Sequence, residues 1–117
     1  MRRELNCRSD PGIDELAEAL KTLSDPNRLR MMCFLSGGEK CVCEVESELA
    51  ISQQLASHHL NVLRDAGFLK TRRMGTWSFY SVDSRKLKRV ENVFMRYLDH
   101  GKIRSGCTAA GSMCREK

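Results

Sequence analysis

The sequence predicts a mainly α fold with a small β-hairpin, arranged as a winged helix-turn-helix. Three features predict it. A short helical segment is followed by a longer amphipathic one across the turn Ala50-Ile51-Ser52. Two runs rich in β-branched and aromatic residues flank Met74-Gly75-Thr76, which reads as a hairpin with a basic tip. A last segment then places Leu87, Val90, Phe94, Tyr97 and Leu98 at helical spacing. At 117 residues the chain suits one small domain. A chain of this size buries only about two-thirds of its unfolded surface, so a homodimer interface would add burial.

Residues 1–10 read as a flexible arm carrying Cys7. Asp10-Pro11 then pairs a capping residue with a proline suited to a first helical position. Ile13, Leu16, Ala17, Leu20 and Leu23 give this first helix its apolar stripe. Ser24-Asp25-Pro26 ends it and starts a second, with Leu29, Met32 and Cys33 as the expected buried stripe and Gly37-Gly38 as the stop. Val42, Val45 and Leu49 mark a third helix over 42–50. Ser52 caps a fourth over 53–66, ended by Gly67. Residues 68–73 and 77–82 are the hairpin strands, and Ser84 is the expected cap of the last helix. Residues 11–100 are thus read as one winged helix-turn-helix domain, the unit expected to bind DNA and to dimerise. Residues 101–117 read as a flexible tail carrying Cys107 and Cys114.

The formal charge is +5, with basic clusters at 28–30, 70–73 and 85–89, a balance that suits a nucleic-acid partner. No apolar run approaches the roughly 20 residues of a membrane span. The charged N-terminus lacks a signal-peptide stretch, so a cytoplasmic protein with six mostly reduced cysteines is expected, with no membrane partner.

The fourth helix divides into two faces. Leu55, Ala56, His59, Leu60 and Leu63 form the inward one, with His59 a packed core histidine. Ser52 at the cap and Gln53, Gln54, Ser57, His58, Asn61 and Arg64 face outward. Glutamine can pair with adenine through two hydrogen bonds, and serine can contact a base or a phosphate. A merely solvated face would more often carry Lys and Glu. Arg72 and Arg73 at the hairpin tip suit the phosphate backbone or the minor groove of double-stranded operator DNA.

Cys41 and Cys43 stand at the entrance to the third helix. Two residues apart on a regular helix point about 200° away from each other. To hold one soft ion together, the pair must sit in a frayed first turn or unwind it, which would disturb the neighbouring reading helix. A four-ligand structural zinc site would need a second close pair within the fold. A small thiol oxidoreductase would want Cys-x-x-Cys after a strand, and no strand is expected before Cys41.

The chain resembles the arsenical-repressor (ArsR/SmtB) family of metal-sensing repressors. The matching residues are 23–30 (LSDPNRLR), Cys41-Val42-Cys43-Glu44, 57–67 (SHHLNVLRDAG) and 75–80 (GTWSFY). The resemblance implies a homodimer held by the first and last helices, operator binding without inducer, and release when trivalent arsenic or antimony binds cysteine thiolates. Its arsenic-sensing branch often carries a further cysteine three residues beyond the pair, where this chain has Glu46. The family's cadmium and lead sensors use arm cysteines, which favours Cys7 as the third ligand, with Cys107 or Cys114 as alternatives. Cadmium, lead or zinc are alternative inducers. The last-helix histidine pair of the zinc and nickel sensors is absent here, and His100 alone reads as a surface residue. A redox or reactive-sulfur sensor is the other regulatory reading. It would use Cys33, which otherwise reads as a small core residue.

Overall fold

The computed structural model describes residues 6–104. Its elements run α1 (Pro11–Leu23), α2 (Pro26–Leu35), β1 (Lys40–Cys41), α3 (Val42–Leu49), α4 (Gln53–Asp65), β2 (Leu69–Met74), β3 (Trp77–Val82) and α5 (Ser84–Tyr97), followed by a 3-10 turn at His100–Lys102. The first two helices begin alike. Asp10 Oδ1 accepts from the Gly12 N–H at 3.0 Å, and Asp25 Oδ1 accepts from those of Asn27 and Arg28 at 2.8 and 3.2 Å. Pro11 and Pro26 sit where a missing N–H costs no helical hydrogen bond. The last helix is capped by Asp83, not Ser84. Its carboxylate accepts from the Arg85 N–H at 3.1 Å, which makes Ser84 the first helical residue.

The helix-turn-helix is held by two sharp backbone reversals. Ala50 closes α3 in the left-handed region at φ 54°, and Ser52 Oγ then caps α4 by accepting from the Leu55 N–H at 3.1 Å. At the far end of α4, Gly67 has φ +90°. Its N–H donates to the Arg64 carbonyl and that of Phe68 to the Leu63 carbonyl, both at 2.9 Å. This paired closure is the Schellman arrangement, which places a glycine at the left-handed position.

The β structure has three strands where a two-stranded hairpin was expected. β3 lies in the centre, with β2 antiparallel on one side and β1 antiparallel on the other. Lys40 faces Tyr80 and Cys41 faces Phe79 across the extra pairing. A two-residue strand carries no periodicity of its own, so only the long-range pairing reveals it.

The core lies where α2, α3 and α4 meet the sheet. Phe68, Met31, Leu35, Leu60, Leu63 and Val45 are fully buried there. Each such side chain contributes about 1.5–3 kcal/mol of transfer free energy. The stripe expected on α2 is rotated. Met31, Met32 and Leu35 are buried, whereas Leu29 is 51% exposed and Cys33 is also exposed. Apolar residues surround most of that helix, so its periodicity does not select a face. Leu55, expected inside, sits exposed in the first turn of α4. α1 packs on α5, where Arg89 makes a two-pronged ion pair with Glu15 at 2.7 and 2.8 Å. Among the described residues, no helix is long and apolar enough to cross a membrane.

Candidate nucleic-acid interface and thiol pair

α4 presents its polar residues as the sequence suggests. Gln53, Gln54, His58 and Asn61 are exposed and Ser57 is partly so, while Ala56, His59, Leu60 and Leu63 are buried on the opposite side. Ser52 is exposed, with its hydroxyl oxygen engaged in capping. The first N–H groups of α4 add a partial positive charge, suited to a phosphate.

The β2–β3 hairpin projects as the wing. Gly75 turns its tip at φ +65°, between Met74 and Trp77, which are 54% and 57% exposed. The two arginines of the wing differ. Arg72 donates from Nε and Nη2 to the Glu39 carboxylate at 3.0 and 2.8 Å, and its guanidinium lies 5.0 Å from the Phe79 ring centre. The hydrogen bonds to Arg72 hold the Glu39 carboxyl below its ordinary pKa, and the same bonds raise that of Arg72. Arg73 lies on the opposite face of β2, paired in register with Ser78, and is exposed.

Cys41 is the last residue of β1 and the cap of α3, not a residue within the helix. Its extended backbone, at φ −88° and ψ 166°, turns its side chain toward Cys43 in the first helical turn. The two sulfurs are paired as a disulfide, with their Cα atoms 5.4 Å apart. The opposed directions expected from helical spacing therefore do not arise, and the pair meets without unwinding α3. Cys41 is also buried, at 6% exposure. Cys43 is exposed, in a groove lined with Phe34, Glu44, Ser47 and Glu48. Glu44 closes the turn by accepting from the Cys41 N–H at 2.9 Å.

The remaining cysteines are not brought to this pair. Cys7 is exposed in a turn in which the Ser9 and Asp10 N–H groups donate to the Asn6 carbonyl. Cys33 is exposed in an adjoining groove with Asn27, Arg30 and Leu49, which shares Phe34 and Glu48 with the groove at Cys43. Cys107 and Cys114 lie outside the described residues. Among the described residues, no three cysteine, histidine or acidic side chains gather in a way that could hold a metal ion.

One polar cluster was not anticipated. Arg28 Nε donates to the Thr22 carbonyl at 2.7 Å, and its Nη1 lies 3.1 Å from His59 Nδ1. His59 Nε2 faces Asp25 Oδ1 at 3.9 Å. Burial lowers the pKa of His59; Asp25 opposes this, and Arg28 and His58 add to it. For Asp25, burial pushes the carboxyl up, but the Arg28 and Asn27 N–H groups and the cations beside it hold it below its ordinary value. The buried position of His59 was legible from the apolar stripe, but its partner 31 positions away was not.

Residues 25–71 match the sequence profile of the bacterial regulatory protein, arsR family. An uncharacterised HTH-type transcriptional regulator of Methanocaldococcus jannaschii is 40% identical over 78 residues, covering 66% of this chain and 88% of that one. The chain belongs to the arsR family. A cadmium resistance transcriptional regulatory protein homologue of Staphylococcus aureus is 39% identical over 91 residues, covering 76% and 75% of the two chains. Among solved structures, a "possible transcriptional regulator for arsenical resistance" superposes with a TM-score of 0.63 at 28% identity, covering 67% of this chain and 81% of that one. This arsR-family chain is therefore a DNA-binding transcriptional repressor with a winged helix-turn-helix fold, not an enzyme.

Proposed function

We propose that this repressor binds operator DNA as a homodimer and is released when trivalent arsenic or antimony bridges the reduced thiols of Cys41 and Cys43. The observation that carries the reading is the meeting of these two sulfurs at the junction of wing sheet and helix-turn-helix. Soft thiolates suit soft ions. Each As–S bond formed from arsenous acid releases one water, the thiol proton leaving with a hydroxide. Cys7 supplies the third thiolate from the partner's arm in this reading, with Cys107 or Cys114 as the alternatives. The reading contacts come from Ser52, Gln53, Gln54, Ser57, His58 and Asn61, and the wing contacts from Arg72 and Arg73.

The route to release follows from the strand that Cys41 ends. Cys41 pairs with Phe79, Phe79 stacks on Arg72, and Arg72 is tied to Glu39 two residues before Cys41. A shift of Cys41 on binding a third ligand therefore moves the wing as well as the start of α3. A coupling of about 1–3 kcal/mol between ion and DNA is typical and is sufficient for induction.

The test is dissociation of the reduced protein from an inverted-repeat promoter fragment, measured by gel mobility. Arsenite or antimonite should release the unmodified protein. Cys41→Ser and Cys43→Ser should still bind DNA but no longer respond. A normal response in both variants would sink the proposed site. The likeness to the cadmium resistance homologue supports a second reading, with cadmium, lead or zinc as inducer. The same assay with those ions separates the two.

A further inference from the structure

The cluster of Thr22, Asp25, Arg28 and His59 lies on the hidden side of the reading helix, at the point where three helices meet. Thr22 belongs to the last turn of α1, Asp25 and Arg28 to the start of α2, and His59 to the middle of α4. Arg28 spans all three elements with one guanidinium, through 2.7 Å to the Thr22 carbonyl and 3.1 Å to His59 Nδ1. An arginine has no acceptor, so His59 Nδ1 must accept and the ring proton must sit on Nε2. That places Nε2–H toward Asp25 Oδ1 at 3.9 Å. His59 directly follows the outward His58 and stands between Ser57 and Asn61 along the helix. A rotation of α4 about its axis that moved His59 would move the polar face with it.

We propose that Arg28 and His59 form a positioning joint that fixes the rotation of α4 for reading DNA, and that the joint requires the neutral, Nε2-protonated ring of His59. The proposal rests on α4 being the operator-reading helix. His59 is held away from DNA in this arrangement, being 6% exposed behind the helix, and Arg28 is partly buried with its guanidinium engaged by the Thr22 carbonyl and His59. Protonation would leave His59 with two donors, one of them aimed at a cation. The groups facing the ring are Arg28, Asp25 and the neighbouring His58, whose ring centre is 5.2 Å away. Burial, Arg28 and His58 lower the pKa of His59 against the pull of Asp25, the direction that favours the neutral ring.

The experiment compares the unmodified protein with His59→Asn, which retains an acceptor toward Arg28, and with His59→Leu, which has none. Operator affinity is measured between pH 5 and pH 8, alongside thermal unfolding. Ring nitrogen shifts of His59 are read by NMR without DNA. At pH 7.5, His59→Leu should lose operator affinity by roughly tenfold or more, the scale of one lost base contact, while His59→Asn recovers most of it. On acidification the unmodified protein should lose affinity relative to His59→Asn. Both retain His58 on the outward face, so any contact it makes with DNA is present in both proteins. NMR should show a protonated Nε2 and an unprotonated Nδ1. Identical pH profiles for the unmodified protein and His59→Asn, or a ring protonated at Nδ1, would overturn the proposal. If His59→Leu fails to fold, the pH comparison and the NMR still decide it. The NMR result stands even if the fragment is not an operator, which separates failure of the joint from failure of the DNA-reading assignment.

Discussion

Ser57 and His58 lie three and four residues after Gln54, and Asn61 lies four and three residues after them, so the four share one face of α4 and can enter one groove together. Their amide and hydroxyl groups are the kind that distinguish bases. Gln54→Ala or Ser57→Ala should therefore reduce discrimination between operator and random DNA, by about 1–3 kcal/mol where a base contact is lost. The wing arginines should act differently. Arg73 is exposed, and Arg73→Ala should weaken binding to both DNAs alike and reduce the salt slope by about one. Arg72 already has its charge matched by Glu39, so Arg72→Ala should cost less than Arg73→Ala. Competition binding against random DNA at several salt concentrations checks all four variants. Equal losses on both DNAs for the α4 variants would show that this helix positions the protein but does not read sequence. The α4 face was legible because it is written in consecutive helical turns. The Glu39–Arg72 tie was not, because it joins residues 33 positions apart across a strand that no periodicity announces.

At the scale of the element, α3 and α4 are bounded by two left-handed residues of opposite suitability. Ala50 holds φ 54° with a Cβ that this region disfavours, while Gly67 holds φ +90° without one. Ala50→Gly should raise stability by about 0.5–1 kcal/mol, the relief being partly offset by glycine's greater freedom in the unfolded chain. Gly67→Ala should lower it by about 1 kcal/mol or more. Urea unfolding of the reduced protein measures both, and the same sign for the two changes would contradict this account. The starts of α1, α2 and α4 were readable in advance, since Asp10-Pro11, Asp25-Pro26 and Ser52 announce themselves in sequence, whereas the cap of α5 was placed one residue late. The buried face of α2 was not, because Leu29, Met31, Met32, Cys33, Phe34 and Leu35 are apolar almost all round. Which of them turn inward is set by packing against α3 and α4, whose Val45 and Leu60 share one buried cluster with Met31, Met32 and Leu35, and local sequence does not contain that packing.

At the scale of the whole molecule, the polar reading face and a group of exposed apolar residues lie on different helices. Leu87, Phe94, Met95 and Leu98 of the α5 region are 37–56% exposed, and Leu20 of α1 is 41% exposed. Such a surface suits a second copy of the chain, in keeping with the proposed homodimer. Phe94→Asp should then give a monomer at micromolar concentration by sedimentation. It should bind a two-half-site operator no better than a single half-site. In the unmodified dimer, the reading helices should address half-sites about 34 Å apart, one turn of DNA. A dimeric Phe94→Asp would place the interface elsewhere.

Trp77 is the only tryptophan in the chain, and the fold puts it at the tip of the wing with more than half its surface open to solvent. The protein thus carries its own optical probe at one end of the route leading from the thiol pair. Excited at the red edge of indole absorption, it should emit like a hydrated indole in the free protein. Its fluorescence reports the wing alone, separately from α4, without a dye or a substitution. Under the proposed mechanism, the departure of the wing from DNA after inducer is added should be timed by this emission in a stopped-flow trace.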